Sequence, residues 1–141
     1  IAVVMGSKSD LPKLESGIDL IKSYGIEVVV RILSAHRTPM ELTSFLDEIK
    51  DNTDVIIAAA GKAAHLPGVI AAQTLIPVVL SIVQMPSGIP VATVTIDSGM
   101  NAALMAIQIA SVKYPVLREK LAGYRKEMEE KVLADDASVE F

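Results

Sequence analysis

The sequence contains no cysteine and no tryptophan, and only 4% of its 141 residues are aromatic. Without cysteine the chain has no disulfide, no thiolate nucleophile and no cysteine-ligated metal site, so the composition favours the cytoplasm over secretion. The core must be aliphatic, because 51% of the residues are nevertheless hydrophobic. This composition is typical of a folded globular protein, and the length predicts a single domain spanning residues 1–141.

Basic residues and long hydrophobic runs are scarce as well. Thirteen Lys and Arg face 17 Asp and Glu, which gives a formal net charge of −4 and a pI near 5.1. This balance argues against a nucleic-acid partner, although a small anionic ligand needs only a few local donors. Polar residues such as Lys62, Gln73 and Gln84 interrupt the apolar stretches, so we expect no membrane span, and no signal peptide is visible.

Short β-branched runs alternate with amphipathic stretches, which is typical of βα units around a parallel sheet. The first, third and fourth runs are almost wholly apolar, as expected of strands that are buried on both faces. The sequence therefore predicts an α/β fold. The predicted strands are Ile1–Met5, Glu27–Leu33, Asp54–Ala60, Ile76–Val79 and Ile89–Ile96.

The segments between and after the strands carry helix start and stop signals. Gly25 follows the first helix, and Thr38, Pro39 and Glu41 together predict a capping box at the start of the second. The first predicted helix is Leu11–Tyr24, and those after the second are Ala63–Gln73, Asn101–Ser111 and Pro115–Leu133.

The last helix has a narrow apolar stripe on a charged background. This pattern is typical of a peripheral or intersubunit helix, and it fits equally well a terminal helix packed on its own domain. We expect the acidic tail after it, which contains Asp135, Asp136 and Glu140, to fray. The stripe consists of Leu117, Leu121, Tyr124 and Met128.

The junction between Val79 and Leu80 lacks turn residues. A strand-to-helix connection usually takes about two to six residues and contains Gly, Pro, Asn or Asp. Either the fourth strand is longer than predicted, or residues are absent at this point.

In an open parallel sheet, ligands bind beyond the carboxyl ends of the strands. Three predicted loops meet these ends, at residues 6–10, 34–38 and 61–68, and they contain both histidines of the chain. We expect them to form one polar pocket.

Each loop also permits a purely structural interpretation. Residues 6–10 can be a tight turn with an N-cap, or a cradle in which Ser7 and Ser9 donate to a phosphate and Asp10 accepts from sugar hydroxyls.

His36 alone is a common loop residue, but Arg37 beside it is a two-pronged donor suited to phosphate or carboxylate. His65 can orient its own loop or donate to a ligand oxygen. The two histidines without a nearby carboxylate make a weak metal site.

Four segments together resemble the bacterial PurE family, the N5-carboxyaminoimidazole ribonucleotide mutases of purine synthesis. They are Met5-Gly6-Ser7-Lys8-Ser9-Asp10, Ser34-Ala35-His36-Arg37-Thr38-Pro39, Ala63-Ala64-His65-Leu66-Pro67-Gly68 and Ser81-Ile82-Val83-Gln84-Met85-Pro86. The resemblance implies a flavodoxin-like, three-layer α/β/α sandwich with a peripheral C-terminal helix, usually assembled as a homo-octamer. It implies no cofactor and no metal.

The resemblance also implies roles for single residues. His36 would act first as an acid and then as a base, while Ser7, Asp10 and Arg37 would bind the ribose phosphate. A further set would surround the imidazole and the migrating carboxylate: Ser34, Ala35, Gly61, Ala63, His65 and Leu66. Lys62 replaces a small residue of the family, and is either an additional cation for the carboxylate or a surface charge. Family members also carry a further loop between the positions of Val79 and Leu80.

Two other functions are open to the same sequence. One is an aminoimidazole ribonucleotide carboxylase that uses free CO2, although Arg37 and the segment from Ala64 to Gly68 favour the mutase. The other is a non-catalytic flavodoxin-like module. A signalling receiver would need an Asp at the end of the third strand, where this chain has Ala60 and Gly61, and a flavin carrier would need aromatic residues.

Overall fold

In a computed structural model, the chain folds into a parallel sheet with helices on both faces. The structure describes residues 1–60, 65–80, 84–95 and 98–139. The strand order is β2-β1-β3-β4-β5. The strands are β1 (Ala2–Met5), β2 (Val29–Ile32), β3 (Ile56–Ala59), β4 (Val78–Leu80) and β5 (Ala92–Thr93). The described helices are α1 (Leu11–Ser23), α2 (Pro39–Ile49), α3 (His65–Gln73), α4 (Gly99–Ala110) and α5 (Val116–Ala137).

The sheet separates two apolar layers, which confirms the predicted α/β class and the three-layer sandwich. In β1, Val3 and Met5 point into a cluster with α1, α4 and α5, whereas Ala2 and Val4 point into a cluster with α2 and α3. Every residue of β1 is buried. The apolar run at the start of the sequence thus corresponds to a central strand that is covered on both faces.

Helices α1 and α4 approach each other more closely than side chains would permit. A Cβ on Gly17 would collide with the carbonyl oxygen of Gly99, and a Cβ on Gly99 would collide with the carbonyl oxygen of Lys13. The absence of a side chain at both positions is therefore what lets the two backbones touch.

The strands are shorter than predicted, most of all β5, although β4 runs one residue past its predicted end, to Leu80. Ile89 lies in a turn, because its N–H donates to the carbonyl of Pro86 and Gly88 has φ +94°. The predicted strand from Ile89 is therefore wrong at its start, and Ile96 lies outside the described residues.

Helix ends also depart from the prediction in three places. Thr38 does precede α2, but its hydroxyl bonds to Ser34 and not to a helix amide, so the predicted capping box with Glu41 is wrong. Helix α4 begins earlier than predicted, because Ser98 Oγ accepts a hydrogen bond from Asn101 N at 3.2 Å. Helix α5 continues past its predicted end at Leu133 and includes Asp135 and Asp136, while Glu140 lies outside the described residues.

Only the first turns of α5 pack on the domain. Leu117 and Leu121 are buried, whereas Met128, Val132 and Leu133 are exposed. Two hydrogen bonds connect the start of α5 to the end of α1. Tyr24 Oη donates to the carbonyl of Lys120 at 3.3 Å, and Lys120 Nζ donates to the carbonyl of Tyr24 at 2.8 Å. Among the described residues, no helix combines the length and hydropathy needed to cross a membrane.

Strand β2 forms one edge of the sheet. All four of its residues are exposed, including the apolar Val29, Val30 and Ile32. Arg31 lies between them, and its guanidinium stands 4.9 Å from the centre of the Phe45 ring.

Candidate active site

The loops that follow β1 and β2 and the start of α3, which follows β3, meet at the carboxyl edge of the sheet. The three strands are adjacent and parallel, and their last residues are in register: Met5 lies opposite Ile32 on one side and Ala59 on the other. The predicted convergence of the three loops therefore follows from the strand order, at the edge where open α/β sheets bind ligands.

The loop after β1 is closed by its own serines. Ser7 Oγ accepts hydrogen bonds from Ser9 Oγ at 2.9 Å and from Ser9 N at 3.4 Å, which begins a single helical turn at residues 8–10. Asp10 is buried at the end of this turn, while Ser9 is exposed. Ser7 thus has the capping role that the structural interpretation predicts, and the hydroxyl of Ser9 is engaged in the same turn.

Ser34 organises the loop after β2. Its backbone N–H donates to Thr38 Oγ1 at 2.9 Å, and its own hydroxyl accepts from the backbone N–H of Arg37 at 3.2 Å. These local bonds hold residues 34–38 in a tight turn directly before α2, so that the intervening His36 and Arg37 point outward and are exposed.

Arg37 connects this loop to the preceding one. Its Nη2 donates to the carbonyl oxygen of Gly6 at 2.8 Å, and its Nε lies 3.4 Å from Ser34 Oγ. The guanidinium is thereby held over the end of β1, and its remaining N–H groups can still bind an anion.

The two histidines of the chain contact each other. Nδ1 of His65 lies 3.1 Å from Nε2 of His36, and the ring planes are nearly perpendicular at 86°. His65 is the first described residue of α3. Two imidazoles at this distance form a hydrogen bond only if one nitrogen carries a proton and the other does not.

Comparison with known proteins assigns the chain to a family. The model of the family described as AIR carboxylase matches residues 1–80 and 79–131. The chain belongs to the AIR carboxylase family. The paired histidines and the arginine bridge therefore lie at the strand ends of a member of that family.

Curated relatives of this family member share a more specific description. The chain is 46% identical to the N5-carboxyaminoimidazole ribonucleotide mutase of Methanocaldococcus jannaschii, over 99% of this chain and 96% of the relative. It is 45% identical to the Pyrococcus horikoshii protein of the same description, over 94% and 84%. The fold matches the crystal structure of Treponema denticola PurE with a TM-score of 0.90 at 28% identity, over 99% and 98% of the two chains.

The structure brings together most of the predicted site residues that it describes. Hydrogen bonds join Ser7 to Ser9, Ser34 to Arg37, and Arg37 to the carbonyl of Gly6. The rings of His36 and His65 contact each other. Ala35 is half-buried beside them, and Leu66 is buried beneath the site, where its Cδ2 lies 3.9 Å from the position that a Cβ on Gly6 would take. Gly61, Lys62 and Ala63 lie outside the described residues.

Three residues of the quoted motifs make contacts near the site to which the sequence reasoning assigned no role. Thr38 holds the second loop, the carbonyl of Gly6 receives Arg37, and the thioether of Met85 lies 3.5 Å from the position that a Cβ on Gly68 would take. The Ser34 to Thr38 spacing of four residues is a signal that sequence inspection can use, because a hydroxyl that close in sequence competes for backbone groups. Among the described residues, no cluster of three or more His, Asp or Glu side chains is arranged to hold a metal ion.

Proposed function

We propose that this chain converts N5-carboxyaminoimidazole ribonucleotide into 4-carboxy-5-aminoimidazole ribonucleotide, in the synthesis of purine nucleotides. The observation that carries the proposal is the contact of His36 and His65 beside Arg37, at the carboxyl edge of the sheet. The description of the Methanocaldococcus and Pyrococcus relatives supports the same conclusion.

Charge and hydrogen-bonding capacity divide the site into two parts. One part binds the ribose phosphate and consists of Arg37, Ser7, Ser9 and Asp10. The guanidinium of Arg37 faces the phosphate, and the buried carboxyl of Asp10 accepts hydrogen bonds from the ribose hydroxyls. The other part surrounds the imidazole and its carboxylate, and consists of Ser34, Ala35, His65 and Leu66. By resemblance, Gly61, Lys62 and Ala63 complete this second part.

His36 moves the proton in both halves of the reaction. As an imidazolium it protonates the exocyclic nitrogen while the bond from that nitrogen to the carboxylate carbon breaks, which releases CO2 next to the ring. Carbon C4 of the ring then attacks the CO2, and neutral His36 removes the C4 proton. One proton is given and one is taken, so the sum is an isomerisation that needs no cofactor.

The contact with His65 supports this cycle. While the hydrogen bond between the rings persists, the pair carries at most one positive charge, because one ring must supply a lone pair. When His36 holds the charge, its Nε2–H donates to His65. Nδ1 of His36 is then the nitrogen that exchanges the proton with the ligand, because Nε2 is engaged with His65.

Carbon-labelled substrate tests the proposal directly. A mutase keeps the labelled carboxylate in the product when unlabelled bicarbonate is present, because CO2 recombines before it escapes. An aminoimidazole ribonucleotide carboxylase, which is the alternative that shares its description with the family, incorporates the unlabelled carbon and depends on added bicarbonate. Loss of the label would therefore replace the proposed activity by the alternative.

The variant His36→Asn tests the assignment of the proton carrier. Asn retains a polar amide near the position of the ring but cannot transfer a proton. We expect ligand binding by calorimetry to be preserved and turnover to fall at least a hundredfold. Turnover close to that of the parent protein would remove His36 from the mechanism, whatever the label experiment shows.

We also propose that the chain acts in the cytoplasm as a homo-octamer. The exposed apolar side chains of Met128, Val132 and Leu133 on the second half of α5 support assembly with further copies. Light scattering should give eight times the 15.0 kDa of one chain. A mass of one chain at micromolar concentration would contradict the assembly and leave the proposed chemistry to be judged separately.

A further inference from the structure

The hydroxyl of Thr38 bonds to both backbone groups of a single residue, Ser34. Thr38 Oγ1 accepts a hydrogen bond from Ser34 N at 2.9 Å and donates to the carbonyl oxygen of Ser34 at 3.2 Å. The direction of both bonds is fixed, because a backbone N–H can only donate and a carbonyl can only accept. The backbone N–H of Thr38 donates to the same carbonyl at 2.9 Å. Three hydrogen bonds thus join the two ends of the loop that carries His36 and Arg37.

This hydroxyl does not serve helix α2, although Thr38 directly precedes it. A Thr that caps a helix accepts a hydrogen bond from an amide in the first turn of that helix. The side chain of Thr38 makes no such bond, and Pro39, the first residue of the helix, has no N–H that needs an acceptor. The bonds of the hydroxyl therefore stabilise the loop before α2 and not the end of the helix.

The position of Arg37 depends on Ser34, which Thr38 holds. The hydroxyl of Ser34 accepts from the backbone N–H of Arg37 at 3.2 Å and lies 3.4 Å from Arg37 Nε. At its other end, the guanidinium donates to the carbonyl of Gly6 at 2.8 Å. Movement of the Ser34 backbone would therefore remove one of the two supports that hold the guanidinium over the end of β1.

The position of His36 depends on the same loop. His36 is exposed, and besides the ring contact with His65 at 3.1 Å its place is set by the backbone between Ser34 and Thr38. Ser34 directly follows the last residue whose N–H donates across the sheet. Without the hydroxyl of Thr38, the N–H of the half-buried Ser34 would lose the acceptor that the structure gives it, and the loop would have to shift to satisfy it.

We propose that Thr38 is a positioning residue for the proposed reaction, and that its hydroxyl places His36 and Arg37 together by holding the backbone of Ser34. This inference rests on the proposed function, because His36 and Arg37 have their roles there. Thr38 acts through Ser34 and needs no contact with the ligand. One hydroxyl thus serves both the proton transfer by His36 and the phosphate binding by Arg37, so its removal changes kcat and KM together.

Thr38→Val tests the hydroxyl, because it replaces that group by a methyl of similar size. We expect kcat to fall and KM to rise by about tenfold each, since both side chains lose their place. Thr38→Ser keeps the hydroxyl and should recover most of both changes. The matched control is Thr53→Val, the same exchange at a half-buried residue that precedes β3, at the opposite end of the sheet from the site. It should leave both constants unchanged.

A second pair of variants keeps the test valid if the Thr38→Val protein does not fold. Thr38→Ser and Thr38→Ala differ by the hydroxyl alone, so the Ala protein should show the combined loss and the Ser protein should not. Both constants are calculated per folded molecule, which circular dichroism measures. Values equal to those of the parent protein in Thr38→Ala would mean that the hydroxyl has no positioning role. Equal losses in the Ser and Ala proteins would assign the effect to the methyl group of Thr38, and the proposal would be wrong.

Nuclear magnetic resonance of the protein without ligand separates this inference from the proposed function. The chain has two histidines, so His36→Asn assigns their imidazole signals. We expect the signals of His36 to shift in Thr38→Ala and to stay in place in Thr53→Val. Shifted signals in a chain that does not convert N5-carboxyaminoimidazole ribonucleotide would support the placement of His36 by Thr38 and refute the proposed function alone. Unshifted signals would overturn the placement even in an active protein.

Discussion

The imidazole of His65 on α3 contacts the imidazole of His36 in the loop after β2, with Nδ1 and Nε2 separated by 3.1 Å. Helix α3 is anchored in the core by Leu66 and Ile70. The position of the proposed proton carrier thus depends on a helix that belongs to a different βα unit.

Replacement of His65 should separate positioning from proton transfer. In His65→Phe, the Nε2–H of a protonated His36 loses its acceptor, and we expect kcat to fall about 10- to 100-fold, the equivalent of one hydrogen bond to a charged group. His65→Asn retains a polar acceptor and should recover part of this loss; equal kcat values in all three proteins would contradict this role.

Arg37 should matter for binding more than for the chemical step. Arg37→Lys keeps the positive charge but cannot donate simultaneously to Gly6, Ser34 and a phosphate. We expect KM to rise about 10- to 100-fold with kcat reduced only slightly. Arg125→Lys, an exchange of the same kind on exposed α5, is the matched control and should leave KM unchanged. A kcat effect larger than the KM effect would argue that Arg37 acts in the transition state.

The contact of α1 with α4 should be intolerant of a single methyl group. In Gly17→Ala the new Cβ meets backbone, which cannot rotate away, and we expect a loss of about 3 kcal/mol in the free energy of unfolding. Gly123→Ala on α5 is the control: nothing lies within 4 Å of its Cβ position, so the variant should gain up to about 1 kcal/mol from helix propensity. Denaturant unfolding measures both, and an unaffected Gly17→Ala protein would disprove the close contact.

Because of Tyr24, the free energy of unfolding should decrease as the pH rises in the alkaline range. Burial raises the pKa of Tyr24 above its ordinary value of 10.0, so the folded state holds the phenol proton more tightly than the unfolded chain. The stability from this group is therefore complete below pH 10 and is lost as the pH rises above it. We expect melting temperatures of the parent protein to fall more steeply than those of Tyr24→Phe above pH 10. Parallel curves for the two proteins would contradict the shift.

Local chemistry made much of this fold predictable from the sequence. Gly25 with φ +76° ends α1, and Pro39 starts α2, because each depends only on the conformational limits of one residue. The α/β class was also predictable, since buried parallel strands need continuous apolar runs. The position of the site followed, because parallel strands place their carboxyl ends at one edge.

Contacts between distant residues were not predictable. Nothing in the sequence pairs Arg37 with the carbonyl of Gly6, 31 positions away, or Gly17 with Gly99. The hydroxyl of Thr38 could bond to the helix or to Ser34, and sequence alone does not give the energy difference between these choices. The roles of Gly61, Lys62 and Ala63 stay predictions.

The exposed edge of the sheet has a consequence for solubility. An edge strand with free backbone groups and apolar side chains is a template for pairing with other unfolded or partly folded chains. Strand β2 meets this description through Val29, Val30 and Ile32, but Arg31 interrupts the apolar run and is held against Phe45. Aggregation along this edge would force a guanidinium into an apolar stack, so the single charge of Arg31 limits the growth of intermolecular sheets while the chain is folding.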